Sequence, residues 1–294
     1  MPQVTDSLYE LTDGPSMDNV AVMTPFFANE EDKNVAYPWD DQAQDSTSNA
    51  LVWYQYEWAY GKNNMFPHSS GNISTYHVID DIIAYFQDQN TFPNLKEIVV
   101  GGHSMGSQMA QRYASISEKA SGHAPVTFWL GDPNSMVWLS ENHPVQTDCG
   151  NSDDWPEGLS NYAADNMQYG QPLVARGREA VLANFQNKQV SWLRSTEDNG
   201  DYTLDGCGAY ASGANRNERF FNFIKQFPPS CDDVSGGNCD TIDYVAESHN
   251  ATNACRSDAG RARLFYDNFD GKGGRASDFG QRMADGDDPH PASQ

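Results

Sequence analysis

Residues 97–108, "EIVVGGHSMGSQ", decide the fold. An apolar, β-branched run ends in two glycines, a histidine and Ser104, and another glycine follows two residues later. One arrangement that suits this stretch is a glycine-rich turn that happens to contain serine. The other is a nucleophile elbow, a sharp strand-to-helix turn that forces its serine into a strained backbone conformation. An elbow needs tiny neighbours two before and two after the serine, and Gly102 and Gly106 stand there. The helix that follows aims its positive N-terminus at Ser104, and the Met105 N–H can donate to a developing oxyanion. A bare Gly-x-Ser-x-Gly arises readily by chance, but the same pattern at a strand–helix junction is much rarer. The elbow is the preferred reading.

Working outward, the same alternation recurs. Short apolar runs occur at "VAVMTPFF" (20–27), "EIVVGG" (97–102), "VTFWLGD" (126–132), "VSWLR" (190–194) and "TIDYVA" (241–246). They are β-branched and aromatic with little polar alternation, as expected of strands covered on both faces. Helical patterns lie between them. In "STYHVIDDIIAYFQ", Val78, Ile79, Ile82, Ile83 and Phe86 form an apolar stripe, with Ser74 or Thr75 placed to cap it. Met105, Met109 and Tyr113 follow Ser104 at helical spacing, and "REAVLANFQ" and "ERFFNFIKQF" supply two more helices. Strands alternating with helices predict an α/β fold, a doubly wound and mostly parallel sheet. There is no internal repeat and no clear linker. A single domain over 1–270 is expected, with a small cap at about 133–180, and the tail 271–294 has no apolar period and is expected to be flexible.

In an open parallel sheet, chemistry collects at the carboxyl ends of the strands. A nucleophilic serine there needs a histidine base, and the base needs an orienting carboxylate, in the chain order Ser, Asp or Glu, His. Of the seven histidines, His249 follows the last strand and precedes the tail. A surface loop histidine is the ordinary reading, but the required order favours His249 as base. For the acid, "VSWLRSTEDNGDYTLDG" offers Glu197, Asp198, Asp201 and Asp205. Asp198 ranks first, a few residues past the strand end. Asp132, in "WLGDP" after the preceding strand, ranks second and Asp201 third.

Bulk properties narrow the partners. The chain has 294 residues and a net charge of −23, from 18 Lys+Arg against 41 Asp+Glu. Such a surface repels phosphate backbones and anionic lipid, so neither nucleic acid nor membrane is an expected partner. No apolar stretch approaches the ~20 residues of a membrane span. The start, "MPQVTDSLYE", is polar and does not read as a signal peptide. Cys149, Cys207, Cys231, Cys239 and Cys255 lie in the second half, mostly in polar loops, which suits disulfides of a secreted protein. The sequons at Asn72 and Asn250 agree with a secreted glycoprotein whose leader has been removed. Zinc spacings, GxGxxG and Walker patterns are missing, so neither a metal nor a cofactor is expected.

The chain resembles the secreted fungal α/β-hydrolases, an esterase/lipase-like group of serine hydrolases, from about Val20 to the His249 loop. "FPNLKEIVVGGHSMGSQMAQRYA" is similar to that group's elbow. "GDPNSMVWL" is similar to its segment after the next strand, with Asp132 standing where Asn is usual. "LDGCGAYASGANRNER" is similar to its segment beyond the acid, where Leu-Asp, a cysteine, a glycine and Asn-Arg recur. The resemblance implies Asp198 as acid and a Cys149–Cys207 disulfide. Cys231–Cys239 is a further expected pair, which leaves Cys255 free.

One departure matters. These hydrolases carry an earlier strand ending in His-Gly, whose loop supplies the second oxyanion donor, and no His-Gly occurs here. "VAVMTPFF" resembles the strand after that one, so the expected sheet lacks the first strands. It then pairs directly with "EIVVGG", another segment fills the gap, or the chain is unstable alone. Direct pairing is preferred, with Phe26 in the Phe26–Phe27 turn as the second donor beside Met105.

Substrate is barely legible. Aromatics crowd "LVWYQYEWAY" (51–60), and Trp138, Trp155, Tyr162, Met167 and Tyr169 fall in the cap segment, where they could line an apolar acyl pocket or simply pack. The expected activity is serine-dependent hydrolysis of small carboxylic esters by a monomer, with Ser104, His249 and Asp198 as triad. The alternative is a catalytically weak hydrolase-like protein that binds an apolar ligand.

Overall fold

The computed structural model describes residues 2–12, 14–29, 31–32, 50–68, 71–118, 122–164, 167–198, 200, 206–229 and 240–267. Asp201, Asp205, Cys231, Cys239 and the tail 271–294 lie outside the described residues.

Four of the five apolar runs form one parallel sheet in chain order: β1 (Ile98–His103), β2 (Val126–Gly131), β3 (Gln189–Ser195) and β4 (Thr241–Val245). The register pairs Val100 with Phe128, Phe128 with Val190, and Trp192 with Ile242. Every connection is a helical crossover. α3 (Met105–Ile116) follows β1, and α4 (Gln171–Val174) and α5 (Arg178–Gln186) precede β3. α6 (Gly206–Ser212) and α7 (Arg216–Gln226) precede β4.

Strand order does not reverse among the described strands, so right-handed crossovers bring α3, α5 and α7 to the same face. There Phe128, Leu130, Val190, Trp192 and Ile242 bury against Met109, Tyr113, Val181, Phe185, Phe220 and Phe223. α2 (Thr75–Phe86) joins that core through Tyr76, Ile79 and Ile83. Successive strand residues point to opposite faces, so Trp129 and Leu193 face the other way. They meet Ala254 and Cys255 of α8 (Ala251–Arg256) and Ala259 of α9 (Asp258–Arg261), with Val4 of α1 (Pro2–Tyr9) beside them. Helices thus cover both faces. Full burial of such side chains contributes roughly 1.5–3 kcal/mol each.

Local chemistry sets the helix ends. Ser74 caps α2: its hydroxyl accepts from Tyr76 N, and His77 returns a bond to the Ser74 N–H. At the far end of α3, the Lys188 ammonium donates to the carbonyls of Ala114 and Ser117, and Asn184 donates to those of Ser115 and Ser117. These side chains satisfy carbonyls that a helix end leaves open. α3 is therefore held firmly behind the serine it follows.

The run at 20–27 corrects the sequence-based expectation. It forms no strand, and among the described residues β1 pairs with β2 alone. Direct pairing of "VAVMTPFF" with "EIVVGG" does not occur. Met23 and Phe26 are 53% and 67% exposed, and the chain makes contact further along, where Phe27 stacks on Trp58 and Asn29 bridges to Trp53. β-propensity reflects fit to a half-buried pleated surface, and this segment finds none. Residues 2–9 insert no strand either. They form α1, tied to the second face by the Ser7 hydroxyl donating to the Cys255 carbonyl.

Trp138, Trp155, Tyr162, Met167 and Tyr169, between β2 and β3, are all buried in the main core. Tyr169 contacts Tyr76 and Tyr113, and Trp138 contacts Phe223 and Phe227. They pack into the main core. Cys149 and Cys207 form the disulfide that the resemblance implies, with Cα atoms 6.3 Å apart, and it ties this excursion to α6. Cys255 is free and buried.

Candidate active site

β1 and β2 both end in strained residues. Ser104 has φ 57° and ψ −121°, and Asp132 has φ 47°. Non-glycine residues at positive φ typically cost on the order of 1–3 kcal/mol and cluster at functional sites. Ser104 is held by its neighbours on either side: its N–H donates to the Gly131 carbonyl, and its carbonyl accepts from Gln108 N in the first turn of α3. The elbow geometry read from the sequence is present.

The loops after β3 and β4 run side by side. Thr196 N donates to the Val245 carbonyl and Glu197 N to the Glu247 carbonyl. This pairing brings Asp198 to His249, whose Nδ1 lies 2.7 Å from Asp198 Oδ2. A carboxylate only accepts, so Nδ1 carries the proton, and in the neutral imidazole the lone pair lies on Nε2. The His249 side chain is 26% exposed and Asp198 is almost fully buried.

Burial alone would raise the Asp198 pKa. The His249 hydrogen bond, followed by the charge of Arg194 and the hydrogen bond from Arg216, outweighs burial and holds the carboxyl well below the usual range. Arg194 Nη2 donates to Asp198 Oδ2 at 3.0 Å and to its carbonyl at 2.8 Å. Arg216 Nη1 donates to Oδ1 at 3.0 Å.

Asp132 occupies a different network. Its Oδ2 accepts from His103 Nε2 at 3.1 Å and from the Ser195 hydroxyl at 2.7 Å, and its Oδ1 accepts from Ser195 N at 2.6 Å. Burial again pushes toward the neutral acid, but the His103 bond, Arg194 and the Ser195 bonds keep Asp132 ionised. Asp132 pairs with His103, not with His249. The two imidazoles are themselves neighbours, their ring centroids 4.7 Å apart.

His103, Asp132 and His249 present donor atoms within 4.8 Å of one another, the composition of a metal site. The chemistry argues against one. Both Asp132 oxygens already accept hydrogen bonds, and the Arg194 guanidinium stands 3.7 Å from Oδ1. A divalent cation there would displace the bonds that hold Ser195 and His103.

Of the site residues read from sequence, Asp198 and His249 are hydrogen-bonded, and Ser104 follows the His103 whose ring contacts His249. Among the described residues the Ser104 hydroxyl makes no hydrogen bond; such contacts commonly tighten only when substrate binds. Met105 opens α3 directly after Ser104. Phe26 lies on the 20–27 segment, which forms no strand whose end could fix its N–H. Sequence reasoning missed Arg194 and Arg216. Arg194 had a visible signal, a guanidinium at the end of an apolar strand. His103 was missed too, because it precedes the acid in the chain, against the order expected of a base.

A four-stranded parallel sheet with helices on both faces, a serine at positive φ in the turn from β1 into α3, and a hydrogen-bonded Asp198–His249 pair in the loops after β3 and β4 make up an α/β-hydrolase-type fold. No helix among the described residues is long and apolar enough to cross a membrane. No family model and no curated protein matches the chain. A solved structure, that of LpqC, a poly(3-hydroxybutyrate) depolymerase from Bordetella parapertussis, aligns at 15% identity over 77% of this chain and 72% of that one, with a TM-score of 0.46. At that distance the likeness carries no argument about activity.

Proposed function

We propose that this chain is a serine hydrolase that cleaves carboxylic esters through an acyl-enzyme intermediate. The observation that carries the reading is the 2.7 Å contact between His249 Nδ1 and Asp198 Oδ2, with the His249 ring next to that of His103, the residue before a serine held at φ 57°. In this reading Ser104 Oγ attacks the ester carbonyl while His249 Nε2 takes its proton. Asp198 keeps the imidazole in the required tautomer and stabilises the imidazolium. The Met105 N–H, at the positive end of α3, donates to the oxyanion. His249 then protonates the leaving alcohol, and water attacks the acyl-serine by the reverse sequence of proton transfers.

The decisive test is labelling by a fluorophosphonate probe together with turnover of short p-nitrophenyl esters. Labelling at Ser104, lost in Ser104→Ala along with turnover, is the expected result. Folded protein whose Ser104 stays inert refutes the enzyme.

One observation favours the alternative, a catalytically weak protein that binds an apolar ligand. Phe26, 67% exposed, lies on a segment that forms no strand, so no sheet pairing fixes its N–H as the second oxyanion donor. Loss of one donor costs about 10²–10³ in rate. Measured turnover separates the two readings. The Cys149–Cys207 disulfide and the exposed asparagines of the two sequons, Asn72 and Asn250, support export to an oxidising compartment.

A further inference from the structure

We propose that Arg216 is a positioning residue for this reaction: by holding Asp198 through Oδ1 it withholds negative charge from His249 and sets the pH at which that histidine becomes a base. The inference rests on the reading of Ser104, His249 and Asp198 given above.

A carboxylate paired with histidine alone stabilises the imidazolium and raises the histidine pKa. Asp198 is shared three ways, among His249, Arg194 and Arg216. Arg194 belongs to the framework. It is fully buried, and it also donates to the Pro133 carbonyl and to Asn217. Arg216 is different, with a side chain 21% exposed at the first position of α7. Asn215 caps that helix by accepting from Glu218 N, and Arg216 Nε donates to Asn134 Oδ1 at 2.8 Å. Its guanidinium is thus aimed at Asp198 from a fixed helix start, whose dipole adds to the positive field.

The charged groups around His249 come from every neighbouring element. Asp198 and Arg194 come from β3 and its loop, together with the exposed Glu197, and Arg216 comes from α7. His103 comes from β1 and Asp132 from the end of β2. Glu247, two residues before His249, accepts from Asn253 of α8. The carboxylates favour the imidazolium; Arg194, Arg216 and a protonated His103 oppose it. Removing Arg216 strands no buried charge, because Asp198 keeps both Arg194 and His249.

The test compares wild type, Arg216→Gln and Arg216→Lys. The pH dependence of kcat/KM for a short p-nitrophenyl ester gives the acid limb. NMR titration of the His249 Cε1 proton, in a Ser104→Ala background, gives the histidine pKa without needing turnover. Both are expected to rise by about 0.5–1 unit in Arg216→Gln, with Arg216→Lys returning most of the way. An unmoved or lowered pKa in Arg216→Gln overturns the proposal, as does a uniform rate loss with the limb in place. Failure of the hydrolase reading is seen separately, as an unlabelled Ser104 in wild type, while the NMR arm still reports whether Arg216 acts on His249.

Discussion

Gly102 and Gly106 close the elbow against each other. A Cβ added to Gly102 would lie 2.5 Å from the Gly106 carbonyl oxygen and 2.7 Å from Ser107 N, both backbone atoms. Nothing flexible can give way there, so the strand end and the first turn of α3 would have to separate. Since Ser104 lies between them, the damage would fall on the nucleophile.

Gly102→Ala is therefore expected to lower stability by about 1–3 kcal/mol and to remove most esterase activity. Gly150→Ala is the control, since an added Cβ there meets nothing within 4 Å. Thermal melts and ester turnover decide it. Equal behaviour of the two variants would mean that the elbow is not as tight as described.

The acid can be identified by comparing two substitutions. Asp198→Asn leaves the volume but offers an amide to His249 Nδ1, and activity is expected to fall about 10³–10⁴-fold through the wrong tautomer. Asp132→Asn disturbs Ser195 and His103 instead. Its activity loss is expected to be smaller, with stability lower by roughly 1–3 kcal/mol. A greater activity loss in Asp132→Asn than in Asp198→Asn would reassign the acid.

The cysteines give a chemical check. The disulfide spans 58 residues of chain, for which loop-closure entropy gives about 4 kcal/mol of stabilisation. Reduction is expected to lower Tm and loosen α6. Cys255 is buried and its thiol is pushed up to about 11 by that burial, so it should resist alkylation until the protein unfolds. Rapid labelling of Cys255 in native protein would contradict this packing.

Acid should destabilise the protein through Asp132 and Asp198. Both carboxyls sit below their ordinary values in the folded chain. The stability they contribute is complete above the unfolded pKa, about 3.9. It is lost as pH falls through the folded values, because the unfolded chain binds the protons first. Tm is expected to fall progressively below about pH 5 and to keep falling below about pH 3, less steeply in Asp132→Asn. A wild-type Tm that stays level over that window counts against both assignments.

What the amino-acid sequence determined alone is what neighbouring residues decide. The elbow depends on small residues two positions either side of Ser104, and the helices depend on an apolar stripe and a cap within a few residues, as at Ser74. Four strands were legible because their apolar runs are long enough to be covered on both faces. The run at 20–27 looked the same, yet a strand exists only where a partner offers its N–H and C=O groups, and none was legible locally. The base and its acid could be ranked by chain order, but their meeting joins residues 51 apart. Arg194 and Arg216 reached the site through β3 and α7, and His103 was drawn to Asp132 by the register of β1 on β2. Tertiary structure decided these because electrostatic partners are chosen by proximity in the folded chain, where desolvation makes each buried charge seek a counter-charge wherever the fold places one.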